Sequence, residues 1–450
     1  MQKLFYHYIT TLILFVTIVI NAKAWSEHPL LAHPVLSSIP DLKNKQPIEA
    51  MSLYNFLIKE EKGLALLMKD FEDWARLSIP NYAPTPDQLK FNATGNTNDI
   101  VARFLYAIRI NPNAKMRLYL HLLPNESVGD YQLINPQELT TLNDYSSLKH
   151  TNYVEITEGQ KVSPLSVLCT ANDEPDYGFD LGLFENNNTD YGLLYGFGKQ
   201  PFGDPNLEYG SQAPFHMGFY HETSIVYFFG PFLKKTYPEY RISLFKKLSE
   251  YAFATGNDYW GWRFMGWGMH YLGDLSMPYH TAPLPGVSTL KMIWINLKAM
   301  LGFPESKNNA VQIVSNRHSV LEYFQWVVLR DAYLNNPDSC QIIKALRNPV
   351  DLVEYSNDFP RNIVAKESVE RSKYVDFALR NYIPEKLVSD PKFKTPGSPE
   401  LKTLLAQMRK DKGDESIVMM TNLLADIMRS YSMHLQSYYR SINSNVVKNT

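Results

Sequence analysis

The sequence predicts a mostly α-helical protein. Leu, Phe and Met recur at helical spacing over long segments, whereas the strict alternation of apolar and polar residues that marks strands is absent from the sequence. Nor does any segment repeat at the period of a solenoid. Hydrophobic residues make up 45% of the 450 residues and aromatic residues 13%, which is ample material for a packed core. We therefore expect a multi-helical fold with one large core.

The apolar periodicity places the individual helices. The predicted helices cover about 47–76, 98–110, 238–256, 258–274, 317–334, 367–382, 399–410 and 414–441. Between the second and third of them, Asn, Asp, Gly, Pro and Tyr dominate residues 124–210. Ordered loops of this length in a compact domain usually carry function. The chain is thus predicted to be a single helical domain, residues 25–450, with a loop-rich insertion around 124–210 and extra C-terminal helices.

The first 24 residues predict export from the cell. Lys3 precedes an apolar run from Ile9 to Ile20, which the small-residue pattern Ala22-Lys23-Ala24 follows. A run of about 12 apolar residues is too short for the hydrocarbon layer of a bilayer, so the segment is interpreted as a cleaved secretory signal. We expect a secreted protein whose mature chain begins at Trp25.

Charge and cysteine content exclude several functional classes. The formal charge is -2, which argues against a nucleic-acid binder that works through a strongly basic face. Cys169 and Cys340 are too few for a disulfide scaffold or a thiolate zinc cluster. They could pair in an oxidising compartment, but the sequence does not decide it.

The segment from His270 to His280, HYLGDLSMPYH, carries the strongest chemical signal. His270 and Asp274 are four residues apart, so on a helix both side chains leave the same face and can meet one ion. Pro278 ends that helix, and the turn brings His280 toward a neighbouring position. An isolated His-x3-Asp pair more often belongs to an ordinary buried helix end, but the following histidine makes this run specific.

Two weaker features accompany this segment. His318 and Glu322 repeat the spacing of four on a second amphipathic helix, although such a pair alone is often solvated surface. Cleavage before Trp25 would also expose an α-amine with an unperturbed pKa near ~8, which is an easily deprotonated metal ligand.

Together these residues resemble the zinc-dependent bacterial phospholipase C family. Relatives of that family include the catalytic domain of clostridial α-toxin and the fungal zinc-dependent single-strand nucleases. The similarity is close over HYLGD and the following Pro and His, and elsewhere it is confined to short islands. The resemblance implies a helical domain that holds three zinc ions.

The resemblance also implies a set of zinc ligands. The first zinc takes His270 and Asp274, the second takes His280, His318 and Glu322, and the third takes Trp25, Asp274 and an early histidine. That histidine is expected to be His28, with His33 as the alternative.

The first zinc of the family also takes an Asp and a His from an upstream loop. Asp176, in the turn Glu-Pro-Asp-Tyr, is the expected carboxylate, with Asp180 and Asp204 as substitutes. His216 is the expected imidazole, with His221 as the alternate. Asp176 is further expected to orient or deprotonate the attacking water.

The function implied is that of a secreted zinc phospholipase C. It would hydrolyse glycerophospholipids such as phosphatidylcholine to diacylglycerol and a phosphorylated headgroup, through zinc-activated hydroxide. A single-strand nuclease on the same frame is the alternative, although those relatives usually end the second site with His-x3-Asp, whereas this chain has Glu322. A non-enzymatic, zinc-stabilised surface module is a third possibility. We expect a monomer that contacts a membrane surface peripherally and binds no nucleic acid, with its headgroup preference open.

Overall fold

The structure of the protein, a computed structural model, describes residues 27–205 and 208–449, with side chains through Asn443. It is mostly helical, with 62% helix and 3% strand, so the predicted fold class is confirmed. The proposed signal segment and Trp25 lie outside the described residues.

The described residues form 18 α-helices and four short strands. The helices are α1 His28–Ser37, α2 Pro40–Lys43, α3 Leu53–Ser78, α4 Ile100–Ala107, α5 Pro164–Ala171, α6 Asp190–Leu194, α7 Glu208–His216, α8 Ser224–Phe229, α9 Pro238–Ala254, α10 Asp258–Asp274, α11 Pro278–Thr281, α12 Thr289–Met300, α13 Glu305–Asn335, α14 Gln341–Arg347, α15 Lys366–Tyr382, α16 Glu385–Ser389, α17 Leu404–Lys412 and α18 Asp414–Asn449. The strands are β1 Ile48–Glu49, β2 Tyr119–Leu122, β3 Asn152–Glu155 and β4 Lys161–Val162. They form two antiparallel pairs, β1 with β4 and β2 with β3.

Helix α10 is the centre of the core. Every one of its residues after Asp258 is buried, including three tryptophans, because the helix is apolar on all sides and neighbouring helices surround it. Glycines on α10 let two neighbours approach closely. A Cβ at Gly266 would lie 2.8 Å from the Leu168 carbonyl oxygen of α5, and one at Gly268 would lie 2.0 Å from the Tyr438 hydroxyl of α18. The candidate pair His270 and Asp274 thus stands on a helix that is buried on all sides.

The sequence predicted the long helices better than the short ones. Helix α10 ends at Asp274 as predicted, and α15 ends at the predicted residue 382. Helix α3 begins at Leu53 rather than near 47. Residues Ile48–Glu49 pair with β4 instead, and the Ser52 hydroxyl caps the helix by accepting a hydrogen bond from the Asn55 amide at 3.3 Å. Helix α13 begins twelve residues earlier than expected, at Glu305, and α1 and α12 were not predicted.

Pro278 does not end the long helix. Helix α10 stops at Asp274, and Pro278 is the first residue of the one-turn helix α11. Its missing N–H and fixed φ suit that first position. The correction leaves the prediction for His280 intact, since the break between the two helices turns that side chain back toward α13.

The insertion around 124–210 is mostly irregular, as predicted, but it is packed. Tyr153 and Tyr177 are buried in a small cluster of their own, and their hydroxyls are hydrogen-bonded at 3.1 Å. The turn at Glu174–Tyr177 is therefore held against β3. Cys169 and Cys340 are both free thiols.

Candidate metal centre

Eight candidate donors from six elements of the fold converge beside α10. They are His28 on α1, Asp176 in the turn Glu174–Tyr177, His216 at the end of α7, His270 and Asp274 on α10, His280 on α11, and His318 and Glu322 on α13. All eight residues are at most 8% exposed. They fall into three groups whose donor atoms are close enough to hold metal ions.

The first group surrounds a space of the right size for one ion. His270 Nε2 lies 3.2 Å from His216 Nδ1, 3.6 Å from Asp176 Oδ1 and 3.5 Å from Asp274 Oδ2. His216 Nδ1 lies 3.9 Å from Asp176 Oδ1 and 2.8 Å from Asp274 Oδ2. Ligands about 2.1 Å from a tetrahedral metal are about 3.4 Å from each other, so these distances match five of the six edges of such a site.

The second group uses the other oxygen of Asp274. Asp274 Oδ1 lies 3.3 Å from His28 Nε2, and the rings of His28 and His270 are 4.1 Å apart between centroids. His28, His270 and Asp274 therefore form a group beside the first one. A carboxylate with one oxygen toward each group can bridge two ions. Trp25, the predicted further ligand of this site, lies outside the described residues.

The third group joins α11 to α13. His318 Nε2 lies 2.8 Å from Glu322 Oε1, one helical turn away. The His280 and His318 rings are 4.9 Å apart and perpendicular, and Tyr279 stacks on the other side of His318 at 5.7 Å. The predicted His-x3-Glu pair thus faces the histidine that follows the α10 motif.

Hydrogen bonds orient two of the imidazoles, and an ion-pair contact positions a third. His270 Nδ1 donates to the Asn172 carbonyl oxygen at 2.9 Å, and His280 Nδ1 donates to the His216 carbonyl oxygen at 2.9 Å. His216 Nε2 lies 3.3 Å from Asp180 Oδ2. In each ring this nitrogen points away from the cluster, and the other nitrogen faces the cluster as a possible metal ligand. This is the usual arrangement around ligating histidines.

The pKa values show which imidazoles are neutral in the absence of metal. Burial lowers the pKa of His280 to about 4, and it lowers the pKa values of His270 and His318 well below their ordinary value. Neutral imidazoles carry the lone pair that a metal needs. Burial also acts on His216, but its bonds to Asp180 and Asp274 outweigh it and raise its pKa to about 10. Without a metal this ring is protonated, and a bound metal cation would take the place of the proton.

Unpartnered buried atoms provide an independent test of the fit. Both ring nitrogens of His28, Nε2 of His280 and Oδ1 of Asp274 are buried without a hydrogen bond among the described residues. Leaving such groups unsatisfied costs about 1–3 kcal/mol each, and native proteins rarely do so without a reason. Metal ions at these groups would satisfy one nitrogen of His28, Nε2 of His280 and Oδ1 of Asp274, so the donors present fit the proposed groups.

The two alternative histidines lie outside the three groups. His33, five residues beyond His28 on α1, lies 3.5 Å from the Tyr333 hydroxyl rather than in any of the three groups. His221 Nε2 donates to the Arg361 carbonyl oxygen at 2.7 Å. The geometry therefore brings together His28 and His216, the preferred residues.

The two substitute carboxylates belong to none of the donor groups. Asp180 pairs with Arg241 and accepts a hydrogen bond from Tyr271 at 2.5 Å. Asp204 belongs to none of the three groups and lies beside Gly210. Asp176 is the acid that the fold brings to the motif.

Sequence reasoning did not identify the residues that hold His216 in place. They are Asp180, Arg241 and Tyr271. Asp180 is completely buried, and the charge of Arg241 holds its pKa below its ordinary value although burial opposes this. It connects α9 and α10 to His216. Arg241 and Tyr271 stand in helices, and both are fully buried. Full burial of a polar side chain is the one feature that would mark them as supporting residues. Burial cannot be read from a single sequence.

A cleft of about 760 Å³ opens beside the donor groups. Its acidic lining residues are Glu27, Asp144, Asp173, Asp176, Glu208 and Glu322. Its aromatic lining residues are Tyr153, Tyr177, Tyr209, Tyr323 and Trp326. Lys402 is the one lysine or arginine among its described lining residues. The cleft gives a substrate access to Asp176 and Glu322 from a strongly acidic, aromatic surface.

No family model, curated protein or solved structure matches this chain. Among the described residues, every helix is either too short or too polar to cross a bilayer.

Proposed function

We propose that the protein is a secreted zinc-dependent phospholipase C. It would hydrolyse glycerophospholipids, with phosphatidylcholine as the first candidate, to diacylglycerol and a phosphorylated headgroup. The observation that carries the proposal is the set of three buried donor groups, two of which share His270, at the side of an open cleft. Such a set is far more than one structural metal site requires.

The chemistry of the donors favours zinc. The three groups contain five imidazoles and three carboxylates. Imidazole with carboxylate suits Zn²⁺, whereas Mg²⁺ and Ca²⁺ prefer an all-oxygen shell. Three ions, one for each group, are the count that we propose.

The side chains around the cleft have separate tasks in hydrolysis. When bound, the metal ions would supply Lewis acids that neutralise the phosphodiester and lower the pKa of water toward about 7. Asp176 lies where the donor groups meet the cleft, so it can orient a water and accept its proton as the water attacks phosphorus. The bond from phosphorus to the diacylglycerol oxygen breaks, that oxygen takes up a proton from solvent water, and Asp176 releases its proton to solvent.

The cleft favours a lipid headgroup over a nucleic acid. Carboxylates such as Asp144 and Glu208 would repel the successive phosphates of a polynucleotide, since strand binding relies on positive charge. The same carboxylates, together with rings such as Tyr209, Tyr323 and Trp326, suit the quaternary ammonium of a choline headgroup. This supports the phospholipase over the nuclease.

The test begins with metal analysis of the secreted, processed protein, followed by rate measurements on two substrates. We expect about three zinc ions per chain, turnover of phosphatidylcholine and no cleavage of single-stranded DNA. Two matched pairs of variants link activity to the sites. His28→Ala and His216→Ala should each lose metal and activity, whereas His33→Ala and His221→Ala should retain both.

Two results would contradict the proposal. Cleavage of DNA without lipid hydrolysis would favour the nuclease. A protein that hydrolyses neither substrate when fully loaded with zinc would favour the non-enzymatic module.

A further inference from the structure

Helices α8 and α12 present large apolar side chains to solvent. Helices α8 and α12 pack against each other. The exposed set, here called the α8–α12 surface, consists of Ile225, Phe228, Leu290, Trp294, Met300, Leu301 and Phe303. Within it, Phe228 is 79% exposed, Leu290 80% and Trp294 59%. Apolar residues gathered in this way usually mark an interaction site, whereas single exposed ones do not.

The fold does not need these side chains for its own packing. Helix α12 buries its opposite face, where Met292 and Ile295 point inward, and Met292 joins a small separate core with Val226 and Val311. Leu290 and Trp294 are spaced by four residues, so they stand one turn apart on the outer face. Helix α12 is therefore apolar on two faces, and only one of them is covered.

The two segments that form this surface carry lysines and no carboxylates, and Glu222 and Glu305 flank them. The segments 223–235 and 281–304 contain no Asp or Glu, although the whole chain has more acidic than basic residues. They carry four lysines, at 234, 235, 291 and 298. The ammonium of Lys298 lies 5.4 Å from the Trp294 ring centre, and that of Lys234 lies 4.9 Å from the Tyr227 ring centre. Aromatic rings with lysines alongside are typical of protein surfaces that lie in the headgroup region of a bilayer.

The surface is close to the metal centre along the chain. Helix α12 follows α11, which carries His280, and precedes α13, which carries His318 and Glu322. From Glu305 at the start of α13 to His318 is about 20 Å of helix at 1.5 Å per residue. The start of α13, next to this surface, is therefore about 20 Å from His318 along that helix.

We infer that the α8–α12 surface docks the protein on a bilayer that contains anionic phospholipid. The outer face of α12 would lie among the headgroups, and the four lysines would contact lipid phosphates. This inference rests on the proposed function, since a lipid substrate is the reason for an enzyme to settle on a bilayer. The lysines argue against a second copy of the chain as the occupant, because two such faces would bring like charges together.

Vesicle sedimentation of the intact, zinc-loaded protein tests this inference. The vesicles are phosphatidylcholine alone and phosphatidylcholine mixed with phosphatidylglycerol. Leu290→Glu with Trp294→Glu should lower binding to mixed vesicles by at least about tenfold. Lys291→Ala with Lys298→Ala should lower it by roughly fivefold per lysine, with a weaker effect in high salt. Leu77→Glu is the matched control, since Leu77 is 90% exposed on α3, and it should bind as the wild type does.

A second measurement separates docking from catalysis. Hydrolysis of dispersed short-chain phosphatidylcholine, which needs no bilayer, should be unchanged in the surface variants, as should their zinc content. Unchanged vesicle binding in the Leu290 and Trp294 variant would overturn the inference. So would a wild-type dimer that the same variant dissociates without any loss of vesicle binding. If the wild type binds vesicles through this surface but hydrolyses neither form of lipid, the docking stands and the proposed function fails.

Discussion

Replacement of Asp274 by Asn tests the central feature of the metal centre. The change keeps the shape of the side chain, but it removes the negative charge and turns one oxygen into an amide nitrogen that has no lone pair to offer a metal. In the native protein Oδ2 lies 2.8 Å from His216 Nδ1, and Oδ1 lies 3.3 Å from His28 Nε2. One substitution therefore disturbs two of the three donor groups.

The structure sets the size of the expected effect. The group formed by His280, His318 and Glu322 does not include Asp274, so the variant should retain about one of three ions. Activity should fall by more than about 100-fold, since even a residue that only orients a ligand is worth 10–100-fold. Without metal, His216 is protonated at neutral pH because its pKa is about 10. Loss of the Asp274 carboxylate removes one of the partners that hold this proton, Asp180 remaining, and should cost about 1–3 kcal/mol.

Metal analysis, rates on a soluble choline phosphodiester and thermal unfolding of the metal-free protein give the three readouts. Glu72→Gln is the matched control. Glu72, on α3, is also a buried carboxylate, and it accepts a hydrogen bond from the Tyr82 hydroxyl at 2.7 Å. It belongs to none of the donor groups. It should lose stability but keep its metal. An Asp274→Asn protein with full metal content and activity would refute the bridging role.

Four further predictions concern the surroundings of the site and the rest of the fold. Asp180→Asn should weaken metal binding at the His216 group by about 10–100-fold in a chelator competition, and an unchanged affinity would count against its orienting role. Chelation of the metal should lower the melting temperature and added zinc should restore it, since binding to the native state alone stabilises that state. Burial raises the pKa of Glu239 from 4.5 to about 7, so the folded state binds the proton more tightly than the unfolded state does. Stability should therefore fall by about 3 kcal/mol as pH rises from 4.5 through 7, and Glu239→Gln should flatten that part of the curve in denaturant titrations. One extra residue before Trp25 should reduce the zinc content, and a normal content would exclude its amine as a ligand.

The amino-acid sequence by itself determined the fold class and the two candidate ligand pairs, each of which lies within a single helix. His270 with Asp274 and His318 with Glu322 meet because a helix places residues four apart on one face, whatever surrounds it. That relation is local, so it can be read from spacing alone. The apolar pattern predicted the long helices for the same reason, and it failed at the start of α13 and at α12.

Tertiary structure alone decided which distant residues join these pairs. His28 and His33 both stand on α1, and only the direction in which that helix packs turns His28 toward Asp274. His216 reaches Asp274 across 58 residues of sequence. The α8–α12 surface likewise exists only because the fold covers one apolar face of α12 and leaves the other open. Long-range packing, rather than any local spacing, sets these relations, since they depend on how whole helices bury their apolar faces against each other.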